Sequence, residues 1–196
     1  MILTLLAAFF IIRLYTLYIS INNAKALVAE GAKEYGQANS KGLALTHILI
    51  YVGAAIEAFV NHTTLGYMNI FGLILLILSY FVLFHVIRTL GRIWTLKIFI
   101  LPKHPIIHSG LYKITKHPNY FLNIVPELIG VLLLTSAAFT WILLLPYAYF
   151  LIKRIKQEEK VMASLHYIFY STYIMFIPYK FKFLCPYNSI IKANVI

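Results

Sequence analysis

Tyr67-Met68-Asn69-Ile70-Phe71-Gly72-Leu73-Ile74-Leu75-Leu76-Ile77-Leu78-Ser79-Tyr80-Phe81-Val82-Leu83-Phe84-His85-Val86-Ile87 is apolar almost without interruption and contains no Asp, Glu, Lys or Arg. As a helix it is long enough to cross about 30 Å of hydrocarbon. Blocks of the same kind lie on either side of it, at 1–20, 43–60, 119–135 and 139–153. Only 12% of the residues are charged and 61% are hydrophobic, against roughly 25% charged in a soluble domain. These features predict an all-α integral membrane protein with about five transmembrane helices. We read it as a single membrane domain over 1–196, with a catalytic core at 88–180.

The formal net charge is +11, from 17 Lys and Arg against 6 Asp and Glu. No basic stretch sits on a separate polar fold, so nucleic acid is not an expected partner. Most of the cations fall in loops 22–42, 88–118 and 153–160, whereas 61–66 and 135–140 hold none. The positive-inside rule then puts the first three loops in the cytoplasm, with the N-terminus outside and the C-terminus inside. Within 22–42, Ala24, Leu27, Val28, Ala32 and Tyr35 recur at helical spacing, which suggests a short surface helix. Arg13 stands alone in the first span and is expected to snorkel toward the interface that follows. The start reads as a retained first span rather than a signal peptide. The amphipathic segment running to Ile177 and the basic aromatic tail from Pro178 suit the headgroup layer. With one cysteine, Cys185, neither an internal disulfide nor a cysteine metal site can form.

The stretch from His104 to Tyr120 breaks the apolar pattern. It holds three of the seven histidines, together with Pro105, Pro118, Tyr112 and Tyr120. Lipid offers such groups no hydrogen-bond partners, so they either hold a ligand or serve as interfacial rings that anchor the helix. Gly110 supplies a flexible or positive-φ turn, and Pro118 suits the first turn of a helix. A helix N-terminus there would seat a carboxylate or phosphate. His117, Tyr112 and Tyr120 offer hydrogen bonds and rings for a heterocycle. A metal held by His104, His108 and His117 is the weaker alternative, because the adjacent prolines prevent a common helical face.

Arg154 and Glu158 are four apart and share a helix face. They form either an ordinary surface ion pair or an arginine clamp for an anionic head, held in place by the glutamate. Glu127 lies in the apolar run Val125-Pro126-Glu127-Leu128, where a carboxylate is a functional candidate by default. It is either a base for an acidic acceptor or a group bonded to a neighbouring helix through His47 or a tyrosine. Glu57 poses the same question nearer the outer face.

The pattern His104…Gly110-x-Tyr112…Lys116-His117-Pro118-x-Tyr120, then a hydrophobic hairpin, then Arg154-x-x-x-Glu158-Glu159, resembles the isoprenylcysteine carboxyl methyltransferase family. The likeness covers roughly 70–180. The section from Arg13-Leu14-Tyr15 through Gly31-Ala32-Lys33-Glu34 resembles a bacterial branch of the family. The resemblance implies S-adenosylmethionine as cofactor and methyl donor, bound without a dinucleotide fold. Carried over by position, its contacts would be His104, Pro105, Ile106, Ile107, Tyr112, His117, Pro118, Asn119 and Tyr120. Arg154 and Glu158 would serve the transfer site, with Glu127 as a candidate base. There are two departures: Lys116 stands where an arginine is usual, and Lys97 where eukaryotic members have a glutamine on the cofactor. The resemblance also implies a lipidic small-molecule substrate such as an isoprenoid-linked carboxylate or a phenolic lipid, and a bacterial plasma-membrane setting with the site on the cytoplasmic face. An NADPH-dependent membrane reductase and a non-catalytic protein keeping the fold are the competing readings.

Overall fold

The computed structural model describes residues 1–101, 110–113, 115 and 117–172, without the side chains of Lys113 and 164–172. Three long helices open the chain: α1 (Ile2–Ala29), α2 (Gln37–Val60) and α3 (Tyr67–Leu90). In their most apolar windows only 22–33% of residues are buried, so the remaining apolar surface must face lipid. Phe81, Ile77, Leu78 and Phe71 are among the exposed side chains of α3. A shorter apolar helix follows, starting as a π-helical turn over Asn119–Ile124 and continuing as α4 (Val125–Leu134). The last described element is α5 (Leu144–Thr172). Residues 1–158 form one compact unit, and a second begins at Glu159.

The polar stretch after the first span is not a separate surface helix. α1 runs unbroken to Ala29 because nothing between Ser20 and Ala29 interrupts helical geometry. Asn23 is held instead by tertiary bonds, its amide donating to the Trp94 carbonyl at 2.8 Å and the Gly91 carbonyl at 3.3 Å. The chain turns where glycine permits, at Gly31 (φ 87) and Gly36 (φ 66). Between them β1 (Lys33–Tyr35) pairs antiparallel with β2 (Ile98–Ile100), Glu34 opposite Phe99. The pairing brings Phe99 and Leu101 onto Leu27 of α1.

α4 lies against α3 at close range. A Cβ on Gly72 would come 2.5 Å from the Leu134 nitrogen and 2.8 Å from the Gly130 carbonyl, so this crossing requires glycine. The seam is filled by Leu76, Leu83, Leu128, Val131 and Leu132. At its outer end Asn69 donates to the carbonyls of Leu133 (3.2 Å) and Leu134 (2.8 Å), closing the end of α4. The turn from α4 to α5 is closed by Glu57 of α2. Its carboxylate accepts the amides of Ala138 (2.5 Å), Phe139 (3.0 Å) and Thr140 (2.6 Å), and the Thr140 hydroxyl. Glu57 is thus bonded across helices, the second of the two roles open to it.

Candidate active site

The geometry of the π-helical turn presents the first functional group. The Tyr120 and Phe121 amides both close on the His117 carbonyl, at 3.1 and 3.2 Å. Fewer amides are therefore open at this N-terminus than a regular helix start offers. Single π turns inside helices are rare and recur at functional sites. Here the turn buries the Tyr120 ring, stacked on His117 with centroids 5.6 Å apart.

The Tyr120 hydroxyl joins the two charged residues of α5. It donates to Glu158 Oε2 at 2.5 Å and accepts from Arg154 Nε at 2.9 Å. Arg154 and Glu158 are therefore linked through a phenol and not directly paired as the helical spacing alone suggests. Arg154 is 5% exposed. Its Nη1 donates to Ser40 Oγ at 2.8 Å, so α2, the π turn and α5 all meet at this guanidinium. Nη2 donates no hydrogen bond among the described residues, which leaves it as a donor for a ligand oxygen.

His117 Nδ1 lies 3.7 Å from Glu158 Oε1. Burial by itself raises the Glu158 carboxyl, but the nearby His117 imidazole and the bond from Tyr120 outweigh it. With the Arg154 charge nearby, they hold the group below its ordinary carboxylate value. Tyr112 is half-buried on the loop, and burial, then the Glu158 carboxylate, push its phenol above its ordinary value. Gly110 takes the positive φ expected of it, 59°, and a Cβ there would stand 3.0 Å from His85 Nε2 on α3. Asn119 accepts the Asn123 side-chain amide at 3.0 Å, and Pro118 precedes it as the helix cap.

The structure thus brings together Tyr120, His117, Arg154 and Glu158. His104, Pro105, Ile106, Ile107 and His108 lie outside the described residues, as do Lys116 and the tail from Pro178. Among the described residues no group of three potential metal ligands forms. Lys97 pairs with Glu34 across the small sheet at 2.9 Å.

Glu127 belongs to a second cluster, wholly buried between the helices. Arg13 of α1 donates Nη2 to its Oε2. Tyr51 of α2 donates to Oε1 at 2.7 Å. The Tyr80 hydroxyl of α3 lies 3.2 Å from that oxygen and 2.9 Å from the Phe9 carbonyl. His47 Nε2 is 3.7 Å from Oε1, and the buried Tyr147 of α5 packs on the His47 ring, centroids 5.9 Å apart. Arg13 therefore turns inward and does not snorkel. A carboxylate among hydrocarbon-facing helices holds it more favourably than a distant interface.

Ser40 and Arg13 were missed as members of these clusters. Ser40 has no signal, since one hydroxyl in a polar run is unremarkable. Arg13 has one: a lone cation and a lone carboxylate in separate spans call for each other.

The chain matches the model of the isoprenylcysteine carboxyl methyltransferase family over residues 72–164. A Haemophilus influenzae protein described as uncharacterized is 48% identical over 155 residues, covering 79% of this chain and 90% of that protein. YpbQ of Bacillus subtilis, also described as uncharacterized, is 26% identical over 163 residues, covering 82% of this chain and 95% of its own length. No solved structure matches the chain.

Proposed function

The chain belongs to the isoprenylcysteine carboxyl methyltransferase family, and from that premise we propose an S-adenosylmethionine-dependent O-methyltransferase of the bacterial plasma membrane. Its acceptor is the carboxylate or phenolic oxygen of a lipidic, isoprenoid-like molecule that arrives through the bilayer. Its site faces the cytoplasm, where the basic loops gather. The observation that carries this reading is the Arg154 guanidinium, anchored at Nε by Tyr120 and at Nη1 by Ser40. Such anchoring leaves Nη2 as an oriented donor for an acceptor oxygen.

The described residues fit the proposed cofactor. S-adenosylmethionine supplies an electrophilic methyl group on a cationic sulfonium. The rings of Tyr112, His117 and Tyr120 suit a heterocycle and a soft cation, and the Glu158 carboxylate favours positive charge beside them. Pro118 and Asn119 form the floor of the same turn. His104, Pro105, Ile106 and Ile107 complete the set by motif position.

Methyl transfer is an in-line displacement, so alignment is most of what the protein contributes. Arg154 draws the acceptor oxygen to a fixed point. Tyr120 and Ser40 keep the guanidinium from rotating, and Glu158 holds Tyr120 through the short bond to its hydroxyl. A carboxylate acceptor is ionised at neutral pH and loses no proton. A phenol, with a pKa of about 10, needs a base. For Glu127 we propose a positioning role. Its ties to Arg13, Tyr51 and Tyr80 fix α4, and with it the turn that carries Tyr120.

Calorimetry on the purified protein tests the cofactor: S-adenosylhomocysteine binds and NADPH does not. Binding of NADPH alone would replace this reading with a membrane reductase. Incubation with labelled S-adenosylmethionine and a host lipid extract, followed by mass spectrometry, identifies the acceptor class.

A further inference from the structure

A groove of about 400 Å³ runs along the outside of α1, between Leu17, Ile21, Lys25 and Val28 of the helix and Leu96 and Lys97 of the segment before β2. The α1 residues recur at three- and four-residue intervals and so form one stripe. Leu17, Ile21 and Val28 are exposed. Ser20 lies on the same stripe, but its Oγ already accepts the Leu96 amide at 2.8 Å. The groove wall is therefore apolar, and its charge is confined to the two lysines.

Depth decides what can lie there. α1 has 28 residues, so it is about 42 Å long, roughly 12 Å more than the hydrocarbon core. About twenty residues from the start exhaust the hydrocarbon. Leu17 then lies within it, and Lys25, about 6 Å beyond Ile21 along the axis, lies among the headgroups. The groove begins in hydrocarbon and ends in two ammonium groups. A molecule with a long apolar chain and a charged head at its end matches that gradient.

The sign of the charge selects the head. Lys97 shares its charge with Glu34 at 2.9 Å, which fixes the ammonium at the rim. Lys25 has no acidic partner among the described residues. The rim therefore carries net positive charge. A zwitterionic head brings a cation of its own to that point, and an anionic head does not.

We propose that this groove binds one anionic glycerophospholipid, with an acyl chain along Leu17, Ile21 and Leu96 and the phosphate between Lys25 and Lys97. The proposal stands apart from the methyl-transfer reading: Lys97, at the position of the eukaryotic glutamine, pairs with Glu34, and no residue assigned to the cofactor or to transfer is used.

Trp94, buried just before the groove wall, is the reporter. The chain has two tryptophans, so Trp141→Phe leaves Trp94 alone. This variant is placed in phosphatidylcholine vesicles with equal small fractions of dibrominated phosphatidylglycerol or dibrominated phosphatidylcholine, and Trp94 fluorescence is read. The phosphatidylglycerol should quench at about fivefold lower mole fraction, the effect of roughly one lysine at a membrane surface. Adding Lys25→Gln, a change on the exposed helix surface, should abolish the preference. Lys41→Gln, an equal charge loss at another exposed site, should keep it. Equal quenching by the two lipids overturns the proposal. So does a preference that survives Lys25→Gln, or one lost equally in Lys41→Gln, which would mark diffuse attraction and no site.

Discussion

Arg13 and Glu127, 114 positions apart in the chain, form an ion pair in the interior of the helical unit. Tyr51 adds a bond to the same carboxylate from α2. With the Tyr80 hydroxyl of α3 3.2 Å from it, that carboxylate ties α1, α2, α3 and α4 together at one point.

Breaking the pair from one side should be worse than removing it whole. Glu127→Leu strands a guanidinium in a dry interior, and a loss of about 3–5 kcal/mol is expected. The double variant Arg13→Met/Glu127→Leu should recover most of it. Thermal unfolding in detergent measures both. A double variant no more stable than the single one would mean that the two residues do not act as a pair.

Tyr120→Phe deletes one oxygen and leaves the ring on His117. Both the Arg154 and Glu158 bonds go with it. Methyl transfer should fall about ten- to a hundredfold, the usual worth of a hydrogen bond to a charged group. Binding of S-adenosylhomocysteine should change less. Undiminished turnover in this variant would show that the phenol link between Arg154 and Glu158 is dispensable.

Arg154→Ala should abolish transfer while cofactor affinity stays within a few-fold. Arg154→Lys should restore little, because a lysine cannot satisfy Tyr120, Ser40 and an acceptor with one planar fork. Single-turnover rates with the acceptor found in the lipid extract check this. Efficient transfer by the lysine variant would reduce Arg154 to a point charge.

Glu57→Gln keeps the shape but weakens the acceptor that closes residues 138–140. A stability loss of about 1 kcal/mol is expected, as for a lost helix cap, with turnover per folded molecule unchanged. A specific loss of turnover would return Glu57 to the functional candidates.

The Glu158 carboxyl is held below its ordinary value in the fold, so its charged form contributes stability. That contribution is complete above the unfolded value of about 4.3 and is lost as pH falls through the lower folded value. The gap in unfolding temperature between the native chain and Glu158→Gln should be flat at neutral pH and narrow only on acidification past the ordinary carboxylate range. A gap that narrows between pH 6 and 8 would point instead to a histidine, whose unperturbed pKa is about 6.5.

Residue order alone carried the membrane class and the family. Each rests on local order: runs of apolar residues, charge-free loops, and a motif of fixed spacing such as Lys116-His117-Pro118-Asn119-Tyr120. It also marked Arg154, Glu158 and Glu127 as residues that require partners. The tertiary structure alone decided which partners these are. Glu57 and Glu127 are both lone carboxylates available to Arg13 by sequence, yet Glu57 is taken by the turn after α4 and Glu127 by Arg13. Helical spacing puts Arg154 beside Glu158, yet a tyrosine from another helix comes between them. The physical reason is the same in each case. Periodicity fixes which face of a helix a side chain occupies, and only the packing of helices fixes which other face it meets.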